Sequence, residues 1–217
     1  QAAPFHPLNA GFLWLPAVPF SLLAAFLKIF CAAIFTGLHL RRLGASERGV
    51  VLGAVVFSLG GFMVAWLGHP QTNTACLLPA LFWSLGRLSD RLTPRSAAWL
   101  ALITGLALLG GHPPTMLHVF GAAAAYAAFL FVRAPRSDRA RFALLALLAV
   151  LCGACLAAPA LLPYFEYLGL SSTAAASQGL ARWGTRLSPW AVLHLLMPLA
   201  SGSPALGAEV LAGLFGL

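Results

Sequence analysis

Charge is scarce in this chain. Only 8% of its 217 residues are Asp, Glu, Lys or Arg, against about a quarter in a soluble domain. Sixty percent are hydrophobic and the mean hydropathy is +0.89, a balance that excludes a water-soluble globular domain. Heptads and period-2 alternation are missing as well, which argues against a coiled coil and against a barrel of ~10-residue alternating strands. The net charge of +8 has no continuous basic surface behind it, so no nucleic-acid partner is expected. Cysteine is sparse: Cys31, Cys76, Cys152 and Cys155 all fall inside apolar runs, where thiols act as small packing residues. Cys152 and Cys155 have no second pair at metal-ligand spacing. No metal site is predicted, no cofactor is called for, and a divalent cation is left open.

What is abundant is long apolar stretches divided by short polar turns. They predict an all-α, polytopic transmembrane helical bundle with six spans, roughly 17–39, 49–67, 72–88, 97–110, 115–132 and 142–162. The third and fourth fall short of the ~20 residues that cross a bilayer comfortably, so they recruit flanking residues or sit in a protein-lined region. Residues 1–16 read as an outer-face approach, and 163–207 as an extracytoplasmic segment with an interfacial helix opened by Ser188 and Pro189. Residues 208–217 read as the start of a further span, and the chain as a fragment of a longer one. Arginines follow the first, third and fifth spans, at Arg41, Arg42 and Arg48, at Arg87, Arg91 and Arg95, and at Arg133, Arg136, Arg139 and Arg141. The positive-inside rule then makes loops 40–48, 88–96 and 133–141 cytoplasmic. Runs of small residues, such as 121–125 with Gly53, Gly60 and Gly61, read as points of close helix approach.

Two turns on the opposite side repeat one device. Gly68-His69-Pro70-Gln71 and Gly111-His112-Pro113-Pro114 each end an apolar run and start another. Proline suits a first helical turn, so each motif is expected to open a helix whose unpaired N–H groups attract anions. His69 and His112, with backbone donors near Gln71 and Thr115, read as an oxyanion-type site or equally as turn caps; His118 lies on the same side. Lys28 stands near the middle of the first span, where an ammonium costs on the order of 3 kcal/mol. A cation facing the bundle interior, balancing a phosphate or a neighbouring carboxylate, is favoured there over a snorkelling side chain. Glu166 is a weak catalytic candidate: a general base, a partner for a sugar hydroxyl, or simply an ion pair with Arg182 or Arg186. Arg182 and Arg186, at i and i+4, share a face suited to a lipid phosphate or to interfacial anchoring.

Several short motifs carry a resemblance. Pro4-Phe5-His6-Pro7-Leu8-Asn9, the Leu27-Lys28 span ending in Leu40-Arg41-Arg42-Leu43-Gly44, and Ser58-Leu59-Gly60-Gly61-Phe62 with Trp66-Leu67-Gly68-His69-Pro70-Gln71 are similar to the YfhO-like bacterial membrane proteins. Gly110-Gly111-His112-Pro113 and Ala158-Pro159-Ala160-Leu161-Leu162-Pro163 through Glu166 fit the same pattern. That family resembles the GT-C superfamily of polytopic glycosyltransferases. The resemblance implies transfer of a sugar from a polyprenyl-phosphate carrier to a cell-envelope glycan or lipid acceptor on the outer side of a bacterial plasma membrane. With the residue reading above, the expected substrate contacts are Lys28, His69, Gln71, His112, His118, Arg182 and Arg186, and the resemblance places the principal catalytic carboxylate in an outer loop before Gln1. The alternatives are a transporter or flippase of a lipid-linked or anionic substrate, and a noncatalytic assembly factor.

Overall fold

Helix after helix begins where the local chemistry dictates. The structure, a computed structural model, describes residues 5–10, 12 and 14–170. After a short turn, α1 (Pro7–Ala10), α2 (Ala17–Arg42) runs 26 residues. Ser46 caps α3 (Glu47–Ser58) by accepting from the Gly49 N–H at 3.3 Å, and Glu47 meets the positive end of the helix dipole. A break at Leu59 and Gly60 leads to α4 (Gly61–Ala65). The first Gly-His-Pro turn opens α5 (Gln71–Ala75), which hands over through Cys76 and Leu77 to α6 (Leu78–Asp90). Thr93 and Pro94 start α7 (Pro94–Leu108), and the second Gly-His-Pro turn starts α8 (Pro113–Arg133). Then comes α9 (Arg136–Leu170).

The described residues are all helix and turn, without strand. Four stretches are long and apolar enough to cross a membrane: Ala17–Arg42, Glu47–Ala65, Pro113–Arg133 and Arg136–Tyr167. The expected third and fourth spans are shorter, because the chain breaks at Cys76 and Leu77 and because Gly111, at φ 81°, turns the backbone left-handed. The sixth is longer than expected. Helix α9 passes through Pro159 and Pro163, so the residues after 162 continue a helix about 50 Å long rather than forming a loop. Long apolar helices tolerate interior proline where neighbouring groups re-satisfy the freed carbonyls.

Outward faces are apolar: Val18, Leu22, Phe26 and Phe30 of α2 and Val51, Leu52 and Val56 of α3 are all exposed, a surface suited to hydrocarbon. The core lies on α6 and α7, where Leu81, Leu88, Leu100 and Ile103 are buried. Helix α2 packs on α3 and α6, α6 on α7 and α8, and α5 on α7 and α8. Helices α7 and α9 approach closely at a pair of glycines. A Cβ built on Gly153 would lie 2.7 Å from Thr104 Cβ and 2.8 Å from the Ala101 carbonyl oxygen. Gly61 and Gly121, expected to mark such contacts, have nothing within 4 Å of the equivalent point. Composition marked them; only the neighbour's position decides.

The arginine-bearing turns gather at one end. Arg42 at the end of α2 makes a bidentate pair with Asp90 at the end of α6, with both N···O distances 2.6 Å, and donates to the Tyr126 hydroxyl at 3.2 Å. The guanidinium lies over Gly86, where a Cβ would overlap it. Ser89, Arg133 and Asp138 line one small cavity of about 150 Å³, which joins the turn after α6 to the turn before α9.

Candidate functional site

The two Gly-His-Pro corners meet at the other end. Thr74 Oγ1 donates to the Ala107 carbonyl at 3.1 Å, and a Cβ on Gly110 would overlap that same hydroxyl. The corners differ in what they leave free. At the second, Pro113 and Pro114 carry no N–H, Thr115 donates its N–H to His112 Nδ1 at 3.3 Å, and Met116 donates to the His112 carbonyl. Every first-turn donor of α8 is thereby missing or used. At the first corner, Thr72 and Asn73 donate their N–H groups to the carbonyls of His69 and Pro70. The expected cradle of free backbone donors is therefore not formed at the second corner, where prolines and His112 consume it, and at the first corner the Thr72 and Asn73 N–H groups are used by local carbonyls.

Lys28 reaches the first corner from α2. Its ammonium donates to Leu67 O at 3.0 Å, Thr72 Oγ1 at 3.2 Å and His69 O at 3.5 Å, and the residue is only 5% exposed. Three donors thus meet three neutral acceptors, two of them backbone carbonyls of the turn that follows α4. Thr72 completes the knot by donating its single hydroxyl proton, at 2.9 Å to His69 O. The neighbouring carboxylate entertained for Lys28 is not found among the described residues: the two ion pairs there, Arg41–Glu47 and Arg42–Asp90, both lie at the arginine end.

The remaining sequence candidates distribute unevenly. His69 is exposed and sits edge-on to Trp66 with centroids 5.3 Å apart. Gln71 lies beside the Lys28 knot with its Oε1 buried and unpaired. His112 caps α8, and because its Nδ1 accepts from a backbone N–H, the ring proton falls on Nε2 as a remaining donor. His118 contacts Pro114 O through Nδ1 at 2.6 Å and lines a separate apolar groove of about 500 Å³ with Thr115, between α4 and α8. Glu166 is exposed on α9, and Arg182 and Arg186 lie outside the described residues. Lys28, His69 and Gln71 are thus brought together, with His112 on the adjoining corner; His118 is not brought to them. No group of three His, Cys, Asp or Glu side chains placed to hold a metal occurs among the described residues.

Two residues that sequence reasoning did not single out belong here. His6 is 2% exposed and Asn73 1%; His6 Nε2 and Asn73 Oδ1, like Gln71 Oε1, have no hydrogen-bond partner. Leaving such a group unpaired costs about 1–3 kcal/mol. A polar triplet, Thr72-Asn73-Thr74, inside an apolar run was the available signal for Asn73. His6 lies within reach of the Lys28 charge, and burial first and that charge second push its imidazole down to about 4. It is therefore neutral at pH 7. Since the folded value lies below the ordinary 6.5, the stabilisation from keeping His6 neutral is complete above about pH 6.5 and is lost as pH falls toward 4, an effect of up to about 3 kcal/mol. Melting curves of the chain in lipid nanodiscs should show a lower midpoint at pH 4.5 than at pH 7, and His6→Gln should flatten that difference.

Beside this corner runs a larger apolar groove of about 630 Å³, lined by Phe5, Leu109, Gly111, Met116, Phe120 and Tyr164 among others. Comparison of the chain with protein-family models, with curated proteins and with solved structures finds no match.

Proposed function

We propose that this chain is the membrane-embedded part of a GT-C-like glycosyltransferase that receives a polyprenyl-phosphate-linked sugar at the two-corner end. The transfer would go to a cell-envelope glycan or lipid acceptor on the extracytoplasmic side of a bacterial plasma membrane. The resemblance to YfhO-like proteins supplies the reaction. One observation carries its location: Lys28 is a buried cation with no carboxylate partner among the described residues, at the end away from the arginines. A phosphate brought near it gains from a fixed positive charge whose surroundings are already organised. His112 Nε2–H and the His69 ring are imidazole groups within the corners that face this phosphate in the proposal. In this reading α5 with α6, and α7, complete two further crossings to give six spans, and positive-inside asymmetry puts the arginine turns in the cytoplasm. Glu166 is left without a catalytic role.

Binding of polyprenyl phosphate and of the uncharged polyprenol to the full chain in nanodiscs tests this. Wild type should prefer the phosphate at least about tenfold, equivalent to 1.4 kcal/mol. Lys28→Met should erase that preference, whereas Thr72→Val, which removes one acceptor of the ammonium but keeps its charge, should retain it. A preference that survives Lys28→Met overturns the assignment.

A flippase or transporter has one observation in its favour: the broken helices α3–α4 and α5–α6 resemble the discontinuous helices that border substrate pathways. Radiolabelled lipid-linked sugar in proteoliposomes separates the two, since transport moves the label without changing the covalent bond that holds it.

A further inference from the structure

We infer that Cys31 and Cys76 form a thiol oxidation site, at which a lipid-soluble hydroperoxide joins the two sulfurs in a reversible disulfide that ties α2 to the break between α5 and α6. The inference stands apart from the reading above, since it needs neither a phosphate nor a sugar.

The two thiols meet for a geometric reason. Lys28 on α2 donates to Thr72 on α5 at 3.2 Å, one rung between these segments. Cys31 follows Lys28 by three residues, while Cys76 follows Thr72 by four and donates its N–H to the Thr72 carbonyl at 3.1 Å. Each cysteine is therefore one turn further along the same face of its helix. Their side chains hydrogen-bond to each other as the next rung, packed into the same apolar core.

Reactive cysteines differ from packing cysteines in partial exposure, nearby positive charge and a second thiol within reach. Cys31 has all three. It is half-buried, and its α2 neighbours Phe30 and Ile34 are exposed on the apolar outer face, so an oxidant dissolved in hydrocarbon can approach it. Lys28 lies one turn away, and among the described residues no carboxylate offsets its charge. Cys76 is fully buried, so it meets no oxidant directly and serves to resolve what forms on Cys31. The Lys28 charge disfavours a metal cation between the sulfurs, and among the described residues no third His, Cys, Asp or Glu joins them as a ligand.

The chemistry closes in two steps. The Cys31 sulfur attacks the terminal peroxide oxygen and the O–O bond breaks, leaving a sulfenic acid on Cys31 and, with the thiol proton, an alcohol. The Cys76 sulfur then attacks the sulfenic sulfur, forming the S–S bond, while the hydroxyl leaves with the Cys76 proton as water. Two thiols are oxidised by two electrons and one hydroperoxide is reduced by the same two. Cys76 gives up its 3.5 Å bond to the Asn73 carbonyl in the process, and the new bond holds the first corner to α2 one turn from Lys28.

The test exposes the full chain in lipid nanodiscs to cumene hydroperoxide, blocks remaining thiols with N-ethylmaleimide and maps the digested chain by mass spectrometry. A cross-linked pair of peptides carrying Cys31 and Cys76, two hydrogens lighter than the reduced pair and separated again by tributylphosphine, is expected. In Cys76→Ser, Cys31 should stop at the sulfenic acid and take up dimedone; in Cys31→Ser, Cys76 should stay a thiol. Lys28→Met should slow the cross-link about tenfold. Free thiols at both positions in wild type, once Cys152 and Cys155 have been oxidised, overturn the inference. So do oxidation of Cys76 in the Cys31→Ser chain and an unchanged rate in Lys28→Met.

Discussion

Gly153→Ala is expected to lower the unfolding midpoint of the bundle, while Gly121→Ala raises it or leaves it unchanged. Both positions are helical glycines in apolar sequence, and an added methyl group brings each the same backbone gain of roughly 0.5–1 kcal/mol. Their surroundings differ in kind. The Gly121 position is open, whereas at Gly153 the methyl carbon meets Thr104 Cβ at 2.7 Å and the Ala101 carbonyl oxygen at 2.8 Å. Neither neighbour is the end of a flexible side chain, so α9 must move away from α7, at an overpacking cost of about 1–3 kcal/mol or more. Gly105, whose added Cβ would lie 3.1 Å from Gly153 O and 3.0 Å from Leu156 Cβ, sits in the same crossing and leaves no slack. Gly153→Leu should prevent the helices from closing altogether. Midpoints from denaturant titration in detergent, followed by circular dichroism, decide it: equal signs for the two alanine variants would show that the crossing is not where the bundle is tight.

The contrast also shows what kind of information the sequence carried. Apolar runs and their breaks are local, so the chain divides into helical segments close to where its composition changes, and Ser46 and Thr93 cap helices as side chains of those types do. The tight crossing was not legible, because a glycine facing lipid and a glycine facing a carbonyl look alike in one sequence. Lys28 stood out by its cost in an apolar helix, but its partners are carbonyls that follow α4, some 40 residues away, and backbone acceptors leave no mark in composition. His6 was hidden for a related reason: its burial depends on how the chain before α2 lies against the corner, and no periodicity reports that. The Gly-His-Pro pair was expected to open two helices whose first turns attract anions. Pro114 in place of Gln71 signalled the inequality, and the structure gives its meaning: the second corner spends its imidazole on capping, whereas the first leaves Gln71 and Asn73 unpaired around a charge.

The two ends of the bundle are held by different chemistry, and this constrains what the corner end does. At the arginine end, charge meets charge: Arg42 is half-covered, doubly bonded to Asp90 and seated on Gly86. At the corner end the charge of Lys28 meets only dipoles. A charge-to-dipole knot keeps its positive field, while an ion pair cancels it. Asp90 thus offsets the charge of Arg42, whereas among the described residues no carboxylate offsets that of Lys28.

Gly110→Ala is expected to disable the corner end more thoroughly than removal of any one polar side chain there. The new Cβ would occupy the place of Thr74 Oγ1 and lie 3.1 Å from both Thr74 N and the Ala107 carbonyl oxygen. The Thr74–Ala107 hydrogen bond must break, leaving a buried hydroxyl without its partner, and α5 must retreat from the turn that precedes α8. Overpacking of about 1–3 kcal/mol and an unsatisfied buried group of about 1–3 kcal/mol act together. Because α5 continues directly from the His69 turn, its retreat should displace the His69 carbonyl and Thr72 together from Lys28, move the ammonium itself, and so abolish the preference for polyprenyl phosphate, which the loss of Thr72 Oγ1 alone does not. Thr74→Ala vacates the contested space, so Gly110→Ala combined with Thr74→Ala should be less damaging than the sum of the single changes by about 1 kcal/mol or more. Strict additivity across that double-mutant cycle, in melting and in phosphate preference alike, would mean that the two corners do not touch, and the single site assigned to them would have to be divided.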